Sequence, residues 1–316
     1  MSDFVISNNA LLKYTGNEKD VVIPDGVIDV VDMAFKDNYT IEAVFIPASV
    51  HSVGRGAFTG CKNLKVVRYV KDGNWTVIGE SAFEDCESLN YIHHAMPSKN
   101  ILENHLPNKL TTIGAKAFKG CKSLQSIVVH QKVTDIEHSI FSHCLSLKSV
   151  VWMGKPDDGD LPSWTFFMCT SLENVYLPDS LIFIGDNCFN CCSALSYISM
   201  PRNLSVVCKK AFKSCVSLTS LTLPKETYII EEGAFENCID LHNITFLTDA
   251  WNMRIEDNAF NSCSSLTTVK FSSDKLKDRL NDANKIFVNC DSLNKFEFPS
   301  GSFEKSFGKW VFNKKD

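Results

Sequence analysis

The chain has no apolar stretch approaching the roughly 20 residues that a membrane-spanning helix requires. It has no excess of positive charge either. Its 32 Lys and Arg against 37 Asp and Glu give a net charge of −5, with the two signs mixed along the sequence. A nucleic-acid footprint needs a basic excess, so neither nucleic acid nor membrane insertion is expected. The opening Met1-Ser2-Asp3-Phe4-Val5-Ile6 has no basic start and only three consecutive apolar residues, which does not make a signal peptide. Catalytic signatures are missing too. There is no Walker motif, no Gly-x-Gly-x-x-Gly, no Gly-x-Ser-x-Gly and no His-Glu-x-x-His. No cofactor and no enzymatic activity are therefore expected, and the expected location is the cytoplasm.

What the chain does have is a repeat. A small residue, Phe, two variable residues, Cys, two variable residues and Leu recur from end to end, first in full as Ala57-Phe58-Thr59-Gly60-Cys61-Lys62-Asn63-Leu64. The Phe falls at 35, 58, 83, 118, 141, 166, 189, 212, 235, 260 and 287, eleven copies with a base period of 23. Apolar residues follow each Leu three and five positions on, as in Leu218, Leu221 and Leu223, which places them on one face of a strand. Pro178, Pro201, Pro224 and Pro299 close such strands, since proline cannot extend a hydrogen-bond ladder. Another apolar anchor lies five residues before the Phe, for example Val53, Ile78, Ile113 and Ile184. Gly follows it at 54, 79, 114 and 185, as in a tight turn. One coil is thus a short strand, a turn, a second anchor and a one-turn helix carrying Ala-Phe. A single coil cannot bury its apolar edge, so the coils must stack.

The pattern Ile-Gly-x-x-Ala-Phe-x-x-Cys-x-x-Leu-x-x-Val-x-Leu-Pro resembles the BspA-like leucine-rich repeats of bacterial and protist proteins, over residues 21 to about 298. The resemblance implies a curved right-handed solenoid, mostly β, of about 11 coils of ~23 residues with a parallel sheet on its concave face. It also implies a surface protein that adheres to host or matrix protein, which makes the cell surface the alternative location. Residues 1–20 are expected to cap one end as a hairpin turning at Asn8-Asn9, and residues 299–316 the other, within one structural domain. Phe303, Phe307, Trp310 and Phe312 predict a short aromatic-faced helix in the second cap.

Ten of the thirteen cysteines share one repeat position, from Cys61 to Cys290, which reads as a buried ladder of reduced thiols. Asn38 stands there in the first copy, inside one of four glycosylation-type triplets that read as coincidence. Cys188-Phe189-Asn190-Cys191-Cys192 holds a C-x-x-C without the second ligand pair of a zinc site, and only Cys191 is expected at the surface. His93, His94, His105 and His130 fall on two adjacent strands and the loop between them, at spacings too irregular for a standard metal motif. No metal site is expected there.

Segments 93–109 and 153–163 lengthen the loops after two strands, and 274–280 suggests an extra charged helical turn. Residues two and four after the repeat Leu point away from the core. Among them Phe45, Arg68, Tyr91, His93, Val128, Val151, Tyr176 and Tyr197 carry most of the aromatic, aliphatic and cationic surface. From Ser220 onward these positions are small and polar, or charged. Tyr and Arg are enriched in binding hot spots, so this face is expected to hold a protein partner, as in a scaffold or adaptor.

Overall fold

The computed structural model describes residues 3–94, 104–250, 252–275, 277, 283–306 and 309–315. Two compact units emerge, residues 1–158 with 164–175 and residues 159–163 with 176–316. Both are β-solenoids. Among the described residues, and apart from the hairpin strands at the two ends, there are twelve strands of three or four residues, called long here, one more than the copies of the Phe motif.

In the first unit, long strands Asp20–Val22, Ala43–Ile46, Val66–Tyr69 and Tyr91–His94 pair in parallel, as do Ser126–Val129 and Ser149–Trp152. Two-residue strands form a second wall, Asp29–Val30, Ser52–Val53, Val77–Ile78, Thr112–Ile113 and Asp135–Ile136, again parallel. The N-terminal strands Phe4–Ser7 and Ala10–Tyr14 form an antiparallel hairpin with Asn8 and Asn9 both at positive φ, the geometry its turn requires. The second of these strands joins the short-strand wall beside Val30, so Tyr14 takes the place of a first Phe and stacks on Phe35.

The segment carrying Ala-Phe is not a helix. It forms a third hydrogen-bonded wall. The N–H groups of Gly56, Phe58 and Gly60 donate to Glu80, Ala82 and Glu84 of the next coil, and the residues between them close i→i−3 turns. From Phe35 to Phe260 the residues two before and two after the Phe are left-handed, as at Ser81 and Asp85, Lys116 and Gly120, or Lys210 and Ser214, whereas at Phe287 only Asn289 is. Alternating the hand of the backbone turns every second N–H toward the neighbouring coil, where a helix would have turned it inward. These positions are rich in Gly, Asn, Asp and Ser, which tolerate positive φ. That composition was a legible signal which the helix reading overlooked.

Parallel strands lie about 4.8 Å apart, so equivalent side chains meet at nearly that spacing. The Phe rings accordingly stack. Centroid distances are 4.6 Å for Phe35–Phe58 and 5.2 Å for Phe58–Phe83 in the first unit, and 5.1 Å for Phe189–Phe212 in the second. Beside them runs the cysteine ladder, where within each unit the thiol donates to the Phe carbonyl of the preceding coil, as Cys61 Sγ to Phe35 O at 3.1 Å and Cys238 Sγ to Phe212 O at 3.2 Å. Cysteine fits this position because it is compact and apolar yet offers one weak donor. Asn38 departs from the ladder. Its side chain is half-buried and its Oδ1 accepts from Thr40 and from the Ile41 N–H.

The second unit repeats the scheme. Short strands Asp160–Leu161, Phe183–Ile184, Val206–Val207, Ile229–Ile230 and Arg254–Ile255 form one ladder, and long strands Ser220–Leu223, Asn243–Phe246, Thr268–Phe271 and Lys295–Phe298 another. The aromatic end is a hairpin, not a helix. Gly301–Ser306 pairs antiparallel with Lys295–Phe298 and then with Lys309–Lys314, bringing Phe303 opposite Phe312. The open edge of strand Lys295–Phe298 decides this, because an added strand satisfies its unpaired backbone groups and a helix does not. Lys277 Nζ lies 4.5 Å from the centre of the Phe312 ring. In the segment 274–280, Asp274, Lys275 and Lys277 form a 3₁₀ turn and the rest lies outside the described residues. The one α-helix among the described residues is Ala283–Ile286.

The glycines after the short-strand anchors have a different role from the expected one. Gly54, Gly79, Gly114 and Gly185 are not left-handed. A Cβ on each would meet backbone of the preceding coil, at 2.8 Å from Asp32 N, 2.8 Å from Arg55 N, 2.4 Å from Glu80 N and 2.6 Å from Ser163 N respectively. Close approach of coil to coil, not a turn, selects glycine there.

Candidate binding surface

The outward positions of the long strands form rows set by strand register. In the first unit Phe45 pairs with Arg68, and Arg68 with His93, so an aromatic ring, a guanidinium and an imidazole lie side by side. Arg68 and Tyr91 are exposed, and Phe45, His93 and Val151 are half-buried. Val128 does not face solvent, being only 6% exposed. Residues 104–106 of the long insertion cover that strand. Val128 N–H donates to Asn104 O at 2.8 Å, and Leu106 N–H to Val128 O at 3.2 Å. The buried Asn104 side chain ties this wedge in place, donating to Asn90 O and Ser126 O and accepting from Ile92 N–H. Residues 95–103 of the insertion lie outside the described residues.

In the second unit Tyr176 and Tyr197 are each 47% exposed, and their ring centres lie 5.5 Å apart, tilted at 49°. Two large amphipathic rings held together at a surface offer apolar area at low entropic cost together with two hydroxyls. The later outward positions Ser220, Thr222, Asn243 and Lys270 are exposed and polar or charged, as the sequence pattern indicates.

The cysteines offer little chemistry. None of the thirteen is in a disulfide, and eleven are buried. Burial pushes the Cys61 and Cys169 thiols up to about 12, and Cys86, Cys121 and Cys144 well above the ordinary thiol range. Since the thiolate is the reactive form, these groups are inert. Cys188 and Cys192 of the C-x-x-C are buried while Cys191 is half-buried, its thiol donating to Asn190 Oδ1. The other half-buried cysteine, Cys208, is pushed up to about 12, first by burial and then by the carboxylates of Glu231, Asp186 and Asp160. An alkylating reagent should therefore modify Cys191 first in the native protein, and thirteen thiols after unfolding without reductant. Mass spectrometry of the alkylated chain reads both numbers, and a shortfall in the second would reveal disulfides.

Asp186, Cys208 and Glu231 form a cluster that sequence reasoning missed, with ligand-type atoms within 4.8 Å of one another. They lie 22 and 23 residues apart, so comparing repeat phases would have found them. Their arrangement has a structural cause. The Lys209 N–H donates to both carboxylates, at 3.1 Å to Asp186 and 2.9 Å to Glu231. The same device recurs where Arg55 N–H meets Asp32 and Ala115 N–H meets Glu137. Of the four histidines singled out in the sequence, His94, His105 and His130 line one pocket, with the rings of His105 and His130 stacked at 5.6 Å. His93 is not among the residues lining it and keeps its Nδ1 2.9 Å from His94 O.

Among the described residues no helix is long and apolar enough to cross a membrane. No curated protein matches the sequence. Among solved structures, a leucine-rich cell surface protein from Faecalibacterium prausnitzii is 22% identical, with 94% of this chain and 92% of that one covered and a TM-score of 0.34. A leucine-rich-repeat protein from Bacteroides ovatus is also 22% identical, covering 94% and 91%, with a TM-score of 0.42. The pneumococcal vaccine antigen PcpA is 16% identical, covering 92% and 95%, with a TM-score of 0.46. The model of the BspA type leucine rich repeat region matches residues 5–103, 94–218 and 205–316. With the Phe, Cys and Leu ladders in every matched span, the chain belongs to the BspA-type leucine-rich-repeat family.

Proposed function

We propose that this chain is a non-catalytic scaffold that holds a partner protein against the outward face of its long strands. The observation that carries this reading is the exposed Tyr176–Tyr197 pair, two large rings kept at the surface where the repeat requires only a residue compatible with a strand. Tyr91, 49% exposed, is the corresponding anchor of the first unit, with Arg68 and His93 as its polar neighbours. Thirteen cysteines outside any disulfide suit a reducing compartment, so the proposed location is the cytoplasm. A photo-crosslinking residue at position 199, beside the tyrosine pair, would capture the partner in the native host. With that partner, Tyr176→Ala and Tyr197→Ala should each weaken binding by about 1–2 kcal/mol or more while the melting temperature holds. Unchanged affinity in the double variant would move the site off this face.

A further inference from the structure

The C-terminal cap does more than close the sheet. Register carries Lys270 to Glu297, Glu297 to Ser302 and Ser302 to Asn313, so one row crosses four strands, roughly 14 Å at the usual strand spacing. Along this row lies a hollow of about 430 Å³, entirely within the second unit. Among the described residues its lining holds four lysines, Lys270, Lys295, Lys314 and Lys315, against one carboxylate, Glu297.

Elsewhere in this unit the coils match lysine with glutamate, as Lys209 with Glu232 and Lys213 with Glu236. At the hollow the match is incomplete. Lys295 pairs with Glu297 at 2.8 Å and lies 3.9 Å from Glu304. The hydrogen bond from Lys295 is the first cause that holds the Glu297 carboxyl below its ordinary range, and the charges of Lys270 and Lys315 add to it from further away. No carboxylate among the described residues forms an ion pair with Lys270, Lys314 or Lys315. The surplus of positive charge is local, since the whole chain carries −5.

The placement of these charges selects the ligand. Lys270 stands at one end of the row, Lys314 and Lys315 follow Asn313 at the other, and Glu297 lies between. A densely charged phosphate chain or sulfated sugar would meet Glu297 directly. Phe271, Phe298 and Pro299 add apolar lining that such ligands do not use. An extended peptide advances about 3.3 Å per residue, so acidic residues about four positions apart reach both ends and leave uncharged ones over Glu297.

We propose that this hollow docks an extended segment of a protein partner, with one carboxylate on Lys270 and another on Lys314 and Lys315. The proposal rests on the reading of the outward face as a protein-binding surface. Tyr176 and Tyr197 are not in the lining, so the two contacts are tested separately.

The test titrates the full chain, at low salt, into a labelled, end-blocked peptide with two glutamates separated by three small neutral residues, and follows fluorescence anisotropy. A dissociation constant below about 1 mM is expected, weakening as salt is raised. The same peptide with glutamine for glutamate should bind at least about tenfold more weakly, and so should the glutamate peptide to a chain carrying Lys270→Gln, Lys314→Gln and Lys315→Gln. Those three side chains are exposed, so the melting temperature should hold. Glu297→Gln should tighten binding, because it removes the opposing carboxylate and releases Lys295. Absence of binding overturns the proposal, as does equal affinity for the glutamine peptide or in the triple lysine variant. Weaker binding in E297Q overturns the charge arrangement on which it stands. Displacement of the peptide by pyrophosphate or a sulfated disaccharide at lower concentration than by unlabelled peptide overturns it in favour of a simple anion site. Loss of peptide binding on Tyr176→Ala with Tyr197→Ala overturns it by placing the peptide at the tyrosine pair.

Discussion

Replacing Phe212 by Ala is expected to destabilise the protein by about 3–5 kcal/mol, the range for removing a large ring from a closed core. Phe212 is fully buried and stacks on Phe189 at 5.1 Å and on Phe235 at 5.2 Å, in both cases within 11° of parallel. Its backbone is held as firmly as its ring. The N–H donates to Ala234 O at 2.7 Å, and the carbonyl accepts from Cys215 N–H and Cys238 Sγ. These bonds hold the wall in place, so the surroundings cannot close over the missing ring and a cavity remains. In a solenoid, stability is a sum of coil terms and interfaces between neighbours, and this ring belongs to two interfaces. Guanidinium titration followed by circular dichroism measures the loss. Hydrogen exchange should show it concentrated in the coils of Phe189, Phe212 and Phe235. A change below about 1 kcal/mol would mean that the phenyl stack is not the core.

Gly114→Ala, a change of one methyl group, should cost about 3 kcal/mol, the upper end of the usual range for overpacking. The new Cβ would lie 2.4 Å from Glu80 N, 2.7 Å from Gly79 C and 2.9 Å from Glu80 Cα, all backbone of the preceding coil. Gly114 N–H is meanwhile pinned to Ile78 O at 2.8 Å, so relief requires two coils to separate and their hydrogen bonds to lengthen. In the next coil Glu137 occupies the equivalent place, which shows that a wider local spacing can hold a side chain and limits the expected cost. Gly26→Ala is the control. Gly26 is left-handed at φ +89° with nothing within 4 Å of a new Cβ, so its loss is about 1–2 kcal/mol from backbone strain alone. Equal melting temperatures for the two variants would remove the close-approach explanation.

The periodic features were legible before any coordinates. Phe, Cys and Leu recur with one partner each in the coil above and below, and a period of 23 exposes them however variable the residues between. The features that were misread depend on pairing across coils. Phe303, Phe307, Trp310 and Phe312 fit a helical spacing as well as they fit a hairpin, and the unpaired edge of Lys295–Phe298 decides between them. Val128 follows the outward pattern, but the wedge that covers it comes from an insertion outside the repeat. Tyr91, Arg68, Tyr176 and Tyr197 are exposed as the alternation requires, because a strand interrupted by neither bulge nor insertion keeps its two faces.

The hydrogen bonds of all three walls join one coil to the next, so within either unit a force drawing neighbouring coils apart loads them along their own length. Bonds loaded in this way yield one rung at a time, and each coil that peels away releases about 23 residues of slack. Pulled from its ends, either unit should extend as a ratchet of small, nearly equal steps and rewind from whatever coils remain stacked. A protein built in this manner gives way gradually under tension, and its surviving coils keep presenting their faces while the outermost ones are gone.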